Sequence, residues 1–218
     1  DYAIDPKDRA FALLGSSHHK LLESSSVRGA NKEQGPANKS HLDDNGFLSE
    51  LALNLGWIQG TLDLIEADGD ELVLTDFKTW GSMRLARNKP VGVVFDPRAG
   101  YVDLSEVTLQ MNMYRIMAEQ QYGLVVCRLQ VQCTVRDGGL AIATKRGVKE
   151  NIYLIPVGMM ADEKVLTYFR VRADKLERTL ALETILPEPC SSEERWSGNR
   201  CKSYCEVAMW CPEGVRYL

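Results

Sequence analysis

The residues best suited to chemistry lie between Asp63 and Lys78, in a stretch typical of two strands joined by the turn Asp68-Gly69-Asp70. Side chains alternate between the two faces of a strand, so Asp76 and Lys78 are expected on one face. A hairpin would bring Asp63 beside them. Two carboxylates and an ammonium are costly to bury unless a cation or a reacting anion belongs there, whereas a solvated strand end would need no such partner.

A second group of candidates lies upstream, in a helix predicted over about residues 6–25. His19 and Glu23 are four residues apart and share one helical face. His18 would point about 100° away, so His19 is the better candidate metal ligand. An ordinary surface helix with a His–Glu pair would explain the same spacing.

A third group lies downstream, in a helix predicted from Ser105 to the residue before Gly123. Asp103 or Ser105 can cap its start, and Gly123 stands where a helix commonly ends. Gln110 and Tyr114 share one face of this helix. Taken alone, they fit a polar helix edge equally well.

In their order along the chain, these motifs resemble the PD-(D/E)XK nuclease superfamily, and within it the RecB-like branch. The matching positions are Gly15, His19, Asp63, Asp76, Lys78, Gln110 and Tyr114. The resemblance implies an α/β fold with a mixed central β-sheet flanked by helices, like that of restriction endonucleases. It also implies a metal-dependent DNA nuclease.

The resemblance further implies roles for single residues. Mg²⁺ or Mn²⁺ would be held by His19, Asp63, Asp76 and the backbone carbonyl of Phe77. Lys78 would orient the attacking water or stabilise the transition state, and Glu23 would accept a hydrogen bond from His19 or bind the metal. Gln110 and Tyr114 would place the DNA strand.

The family points to an exonuclease acting on DNA ends in recombination, repair, phage replication or CRISPR adaptation. Two alternatives stay open. One is a DNA-binding protein that keeps the nuclease fold without turnover, against which the complete set of His19, Asp63, Asp76 and Lys78 argues. The other is a metal-dependent hydrolase of a different phosphoester.

The six cysteines fall into two groups. Cys127 and Cys133 lie in a predicted strand, on one face with Leu129 and Val131, and are expected to be buried. The other four are Cys190, Cys201, Cys205 and Cys211. Such density in a chain with no secretory signal favours a metal site over disulfides.

Two metals fit these four thiols. RecB-like nucleases of the CRISPR-associated and AddB types carry a [4Fe–4S] cluster on C-x2-C-x5-C followed by Pro, with a fourth cysteine ahead of the core. This chain has C-x3-C-x5-C-P and no cysteine before Cys127, so Cys190 or a residue outside the sequence would be the fourth ligand. A closed structural Zn²⁺ site needs the same four thiolates.

Length and composition limit the size of the core and the overall charge of the protein. With 218 residues, 44% of them apolar, the chain can fill one sizeable core, predicted as a nuclease core over 1–186 with a cysteine-rich tail over 187–218 packed on it. The net charge of −4 gives no overall electrostatic footprint for DNA. Local basic candidates are Arg84, Arg87, Lys89, Arg98, Lys145, Arg146 and Lys149.

Other elements are predicted from periodicity. A polar stretch covers 24–46, and a strand over 47–55 carries Glu50, which is expected to reach the site. Strands follow at 57–66 and 71–78, a long loop with a short initial helix at 81–104, strands near 124–136, 140–145 and 150–156, and a helix over about 162–182. The chain has no membrane-spanning run and no signal-peptide pattern, which favours a cytoplasmic protein, although it starts without Met.

Overall fold

The computed structural model describes residues 46–86, 94–96, 100–101, 105–181, 189–192 and 194–218. The helix predicted over about 6–25, with His19 and Glu23, lies outside the described residues. So do the polar stretch up to residue 45 and the segment 182–188.

The chain divides into two compact units, Asp1–Thr167 and Tyr168–Leu218. The predicted core over 1–186 and tail over 187–218 stay a prediction.

The first unit is built on a mixed sheet. In the described part of the chain its strands are β1 (Phe47–Asn54), β2 (Gln59–Asp68), β3 (Glu71–Trp80), β6 (Val126–Val135) and β7 (Ile152–Val157), in the spatial order β1-β2-β3-β6-β7. Only β3 and β6 run parallel, and the other neighbours are antiparallel. With the helices described below, this confirms the predicted α/β architecture.

The hairpin of β2 and β3 forms where the sequence predicts it. Its turn contains Gly69 with φ +62°, a left-handed conformation that glycine adopts without a steric penalty. The register runs from Asp68↔Glu71 to Leu64↔Thr75. Leu62, Ile65 and Leu74 are fully buried, so the hairpin contributes directly to the core.

In its described residues, the connection between the parallel strands β3 and β6 contains four further elements. They are the helix α1 (Ser82–Leu85), the paired short strands β4 (Val94–Asp96) and β5 (Gly100–Tyr101), and the helix α2 (Ser105–Tyr122). The short helix at the start of this segment and the long helix at its end are confirmed.

Helix α2 is fixed near its middle and at its C-terminal end. The side chain of Asn112, near the middle, donates to the carbonyl of Gly158, just after β7, at 2.9 Å. At the C-terminal end, the Tyr122 hydroxyl donates to the carbonyl of Ala52 in β1 at 2.8 Å. The helix therefore spans from one edge strand of the sheet to the other, and it ends at Gly123 with φ +66°.

Residues 140–145 were predicted to be a strand, and this prediction was wrong. They form the short helix α3 (Ala141–Lys145), which starts with the backbone N–H of Ala143 donating to the carbonyl of Leu140. The strand β7 instead pairs directly with β6, from Leu129↔Val157 to Thr134↔Ile152. A segment of six residues, of which the four from Leu140 to Ala143 are apolar, is too short for periodicity to distinguish a strand from a helix.

Cys127 was also predicted incorrectly, because it is exposed while Cys133 is buried. A bulge is responsible. Leu72 pairs with Val126 and Val73 with Arg128, so Cys127 is the extra residue and the alternation of faces restarts after it. Burial raises the pKa of the Cys133 thiol to about 11.

Helix α4 (Asp162–Ala181) confirms the last predicted helix, and the boundary between the two units lies within it. Its predicted inner face is covered only in part. Val165 is buried, whereas Leu176 and Leu180 are 60% and 72% exposed. Periodicity shows that residues share a face and does not show what covers that face. Among the described helices, none is both long and apolar enough to cross a membrane.

The second unit continues from α4 with short pieces of helix. They are the 3-10 segments Trp196–Gly198, Ala208–Trp210 and Gly214–Tyr217, and the α-helix α5 (Asn199–Ser203). Among its described residues after position 190, the buried apolar ones are Cys201 and Ala208. The described residues of this part therefore form a small core.

Candidate active site

Asp76 and Lys78 lie together on β3, as the alternation of faces predicts. The Nζ atom of Lys78 is 2.6 Å from Oδ2 of Asp76. The side chain of Asp76 is 3% exposed and that of Lys78 is 24% exposed. A nearly buried carboxylate is thus paired with an ammonium that solvent, or a substrate, can still reach.

Asp63 reaches the same end of the hairpin, by a route that the sequence does not show. The β2–β3 register stops at Leu64↔Thr75, and its next step would set Asp63 opposite Asp76. At that point the backbone N–H of Phe77 donates to Oδ2 of Asp63 at 2.6 Å. Where the paired register stops, a side-chain hydrogen bond thus links the two strands.

These contacts gather the three residues of the predicted catalytic motif. Asp63 and Asp76 are both buried, at 9% and 2% exposure. Two buried carboxylates beside one ammonium have a net negative charge, which a bound cation would neutralise. Carboxylate and carbonyl oxygens are the ligands that Mg²⁺ and Mn²⁺ prefer, so the donor set fits these ions.

The ligand set is incomplete within the described residues. There, no three His, Cys, Asp or Glu side chains are placed to hold a metal ion together. The predicted contributions of His19 and Glu23 lie outside the described part of the chain and stay predictions.

Gln110 and Tyr114 form the second part of the candidate site, on α2. The side-chain amide of Gln110 donates to the Tyr114 hydroxyl at 3.0 Å, and both residues are half-buried. The Tyr114 ring lies against β2, where a β-carbon built at Gly60 would be 2.6 Å from its Cε1 atom. The sequence reasoning missed Gly60, although a glycine inside a strand often marks such a close approach.

Glu50 occupies an unusual position in β1. The ladder pairs Ser49 with Leu64 and Leu51 with Leu62, so Glu50 stands at the level of Asp63. Its φ of +50° is left-handed, which is uncommon for a residue with a β-carbon. Its side chain is exposed, and its expected contribution to the site stays a prediction.

A polar network missed by the sequence reasoning follows directly after β3. Both the backbone N–H and the hydroxyl of Ser82 donate to Asp137 at 2.6 Å, and Arg146 donates to the Ser82 hydroxyl at 2.9 Å. The hydrogen bonds from Ser82 hold the pKa of Asp137 below its ordinary value, and the charge of Arg146 adds to this. The network ties the segment after Lys78 to the end of β6.

Some candidate cations have structural contacts of their own. The guanidinium of Arg84 lies 4.5 Å from the centroid of the Trp80 ring, and Arg146 belongs to the network around Ser82. Lys145 and Lys149 are exposed. Arg87, Lys89 and Arg98 lie outside the described residues.

The C-terminal cysteines differ in exposure. Cys201 is buried, Cys205 and Cys211 are half-buried, and Cys190 is exposed, all as free thiols. These four are among the described residues in which no metal-holding group of three is found. The predicted cysteine site therefore stays a prediction.

One comparison with known proteins gives a match. The sequence model of the PD-(D/E)XK nuclease superfamily matches residues 18–212, a range that contains the candidate residues from His19 to Cys211. A search of curated proteins finds no significant match.

Proposed function

Because the chain belongs to the PD-(D/E)XK nuclease superfamily, we propose that it is a divalent-metal-dependent deoxyribonuclease of the RecB-like branch. Its proposed reaction is the hydrolysis of phosphodiester bonds at DNA ends. One observation carries the proposal: contacts bring Asp63, Asp76 and Lys78 together. Lys78 and Asp76 form a 2.6 Å ion pair, and Asp63 accepts a hydrogen bond from the backbone N–H of Phe77, the residue between them.

The proposed ion is Mg²⁺ or Mn²⁺, with His19, Asp63, Asp76 and the backbone carbonyl of Phe77 as its ligands. When bound, it would neutralise charge on the scissile phosphate and lower the pKa of a nearby water molecule. The chain contributes two buried carboxylates on neighbouring strands, Asp63 on β2 and Asp76 on β3. The imidazole of His19 suits Mn²⁺ better than Mg²⁺.

Lys78 is proposed to act on the phosphate or on the attacking water. Its ammonium is fixed beside Asp76 and is partly exposed, so a phosphate oxygen can approach it. A fixed positive charge stabilises negative charge that develops in the transition state. Glu23 is proposed to accept a hydrogen bond from His19 or to bind the metal.

Gln110 and Tyr114 are proposed to hold the DNA strand. Their mutual hydrogen bond fixes the Tyr114 ring, and both side chains are half-buried, which leaves surface for a substrate. An aromatic ring can stack on any base, and an amide can contact phosphate or sugar without reading sequence. These contacts suit an enzyme that moves along DNA regardless of its sequence.

The decisive experiment compares Asp76→Asn and Lys78→Ala with the unsubstituted protein on linear double-stranded and single-stranded DNA, with Mg²⁺ or Mn²⁺. We expect each variant to lose about a thousandfold in cleavage rate or more, because Asp76→Asn removes a charged metal ligand and Lys78→Ala removes the positive charge proposed to act on the phosphate or the attacking water. Lys164→Ala, which changes an exposed lysine on α4, is the matched control and should cleave normally.

Thermal unfolding shows whether each variant is folded. Full activity in folded Asp76→Asn or Lys78→Ala would reject this site.

A covalently closed circular DNA tests the exonuclease assignment, because an enzyme that requires an end leaves it intact. Binding of DNA without cleavage by the unsubstituted protein would instead indicate an inactive nuclease fold.

A cysteine-bound metal is a second part of the proposal. Cys190, Cys201, Cys205 and Cys211 are proposed to hold a [4Fe–4S] cluster or a structural Zn²⁺, supported by their spacing and by the RecB-like pattern. Four thiolates would leave no open position, so a structural role is proposed for this site. Protein purified without oxygen should be brown and contain iron in the first case, or colourless with one zinc in the second.

A further inference from the structure

We propose that Gly60 is a positioning residue for DNA, because it seats the ring of Tyr114 against β2 a short distance before Asp63. The inference rests on the proposed nuclease function and extends it to a residue that touches neither the metal nor the phosphate.

The backbone does not explain why position 60 is glycine. Gly60 does not have a positive φ, unlike Gly56 and Gly69. Alanine could therefore adopt the same backbone conformation. A glycine inside a strand weakens that strand, so a packing reason for its presence is expected.

The Tyr114 ring supplies that reason. A β-carbon at position 60 would lie 2.6 Å from Cε1, 3.3 Å from Oη and 3.4 Å from Cζ of Tyr114. All three nearest atoms belong to one side chain. The ring can swing away from a new methyl group, so a substitution at Gly60 should displace Tyr114 while β2 stays in place.

Displacement of the ring would disturb the DNA contact and leave the reacting groups intact. The Tyr114 hydroxyl accepts its hydrogen bond from Gln110 at 3.0 Å, a geometry that depends on the position of the ring. Gly60 and Asp63 are three residues apart on β2, so their α-carbons lie about 10 Å apart along the strand. The Tyr114 ring and the Asp63 carboxylate are therefore separate points on the strand, and a substitution at Gly60 should leave Asp63 in place.

The test is a double-substitution cycle with Gly60→Ala, Tyr114→Ala and the combination of both. Gly60→Ala should raise the KM for linear DNA about tenfold and change kcat less than about twofold, the effect of losing one binding contact. In the Tyr114→Ala background, the same substitution should have no further effect on KM, because the ring that it displaces is already gone.

Gly81→Ala is the matched control. Gly81 also has an ordinary backbone conformation, with φ −81°, and a β-carbon there would meet its nearest atoms at 3.7 and 3.8 Å. This variant should keep the KM of the unsubstituted protein. If Gly60→Ala does not fold, the double variant Gly60→Ala with Tyr114→Ala provides the test. Folding of the double variant supports the proposed contact between the Tyr114 ring and position 60, and failure of the double variant to fold overturns it.

Two results overturn the inference. One is an unchanged KM in folded Gly60→Ala, and the other is an equal rise in KM caused by Gly60→Ala in both backgrounds. If either occurs in a protein that cleaves DNA and is inactivated by Asp76→Asn, only the inference fails. Absence of cleavage by the unsubstituted protein overturns the proposed function, and the inference fails with it.

Discussion

The ion pair of Asp76 and Lys78 shows what spacing alone can determine at the scale of single residues. Two positions separated by one residue on a strand must share a face, so their contact follows from the alternation of side chains. The partner of Asp63 does not follow in this way. Its bond to the backbone N–H of Phe77 depends on the point at which β2 and β3 stop pairing, a property of the folded sheet.

Glu50 gives a prediction about backbone strain. Left-handed φ costs a residue with a β-carbon roughly 1–2 kcal/mol, and glycine avoids that cost. Both Glu50→Gly and Glu50→Ala remove the carboxylate, but only glycine also removes the β-carbon from the φ of +50°. Glu50→Gly should therefore be about 1 kcal/mol more stable than Glu50→Ala in urea unfolding, after allowance for the greater chain entropy of unfolded glycine.

Equal stability of the two Glu50 variants would show that no strain is stored at this position. Their cleavage rates supply separate information. Similar losses of activity in both variants would assign a role to the carboxylate, because that group is what both substitutions remove.

At the scale of elements, the sequence predicts strands and helices well where the pattern is long. The hairpin of β2 and β3, helix α2 and helix α4 all lie within a few residues of their predicted limits. The errors concern features set by neighbouring strands. The bulge at Cys127 depends on the register between β3 and β6. Residues 141–145 form a helix and not a strand of the sheet, where β7 pairs directly with β6.

The network after β3 gives a prediction about pH. Because hydrogen bonds from Ser82 lower the pKa of Asp137 in the folded state, its carboxylate stabilises the fold above the pKa of an unfolded Asp, about 3.9. This contribution is lost as the pH falls further, through the folded pKa. Asp137→Asn should therefore be about 1 kcal/mol less stable than the unsubstituted protein at neutral pH, with the difference shrinking below about pH 4.

Urea unfolding at several pH values between neutral and about pH 3 measures this difference. Asp174→Asn, which changes an exposed carboxylate on α4, is the control and should follow the unsubstituted protein. A stability difference for Asp137→Asn that grows on acidification would contradict the proposed direction of the pKa shift.

At the scale of the whole molecule, the family match and the division into units give different information. The match to residues 18–212 includes most of both units, Asp1–Thr167 and Tyr168–Leu218. The carboxylates and the Gln–Tyr pair lie in the first unit, and Cys190, Cys201, Cys205 and Cys211 lie in the second. Composition predicted one core with a small appendage. Composition does not show which cysteine thiols lie close enough together to bind one metal.

The proposed metal should determine the stability of the second unit. After position 190 that unit has few buried apolar residues, so it is the kind of small region in which a metal supplies much of the folding free energy. Cys201→Ser should lose the metal and at least about 3 kcal/mol of stability in this unit, read from elemental analysis and from limited proteolysis of the C-terminal region. Cys127→Ser, which changes an exposed cysteine in β6, should keep both. Full metal content in Cys201→Ser, or equal protease resistance with and without the metal, would show that these thiols do not hold the second unit together.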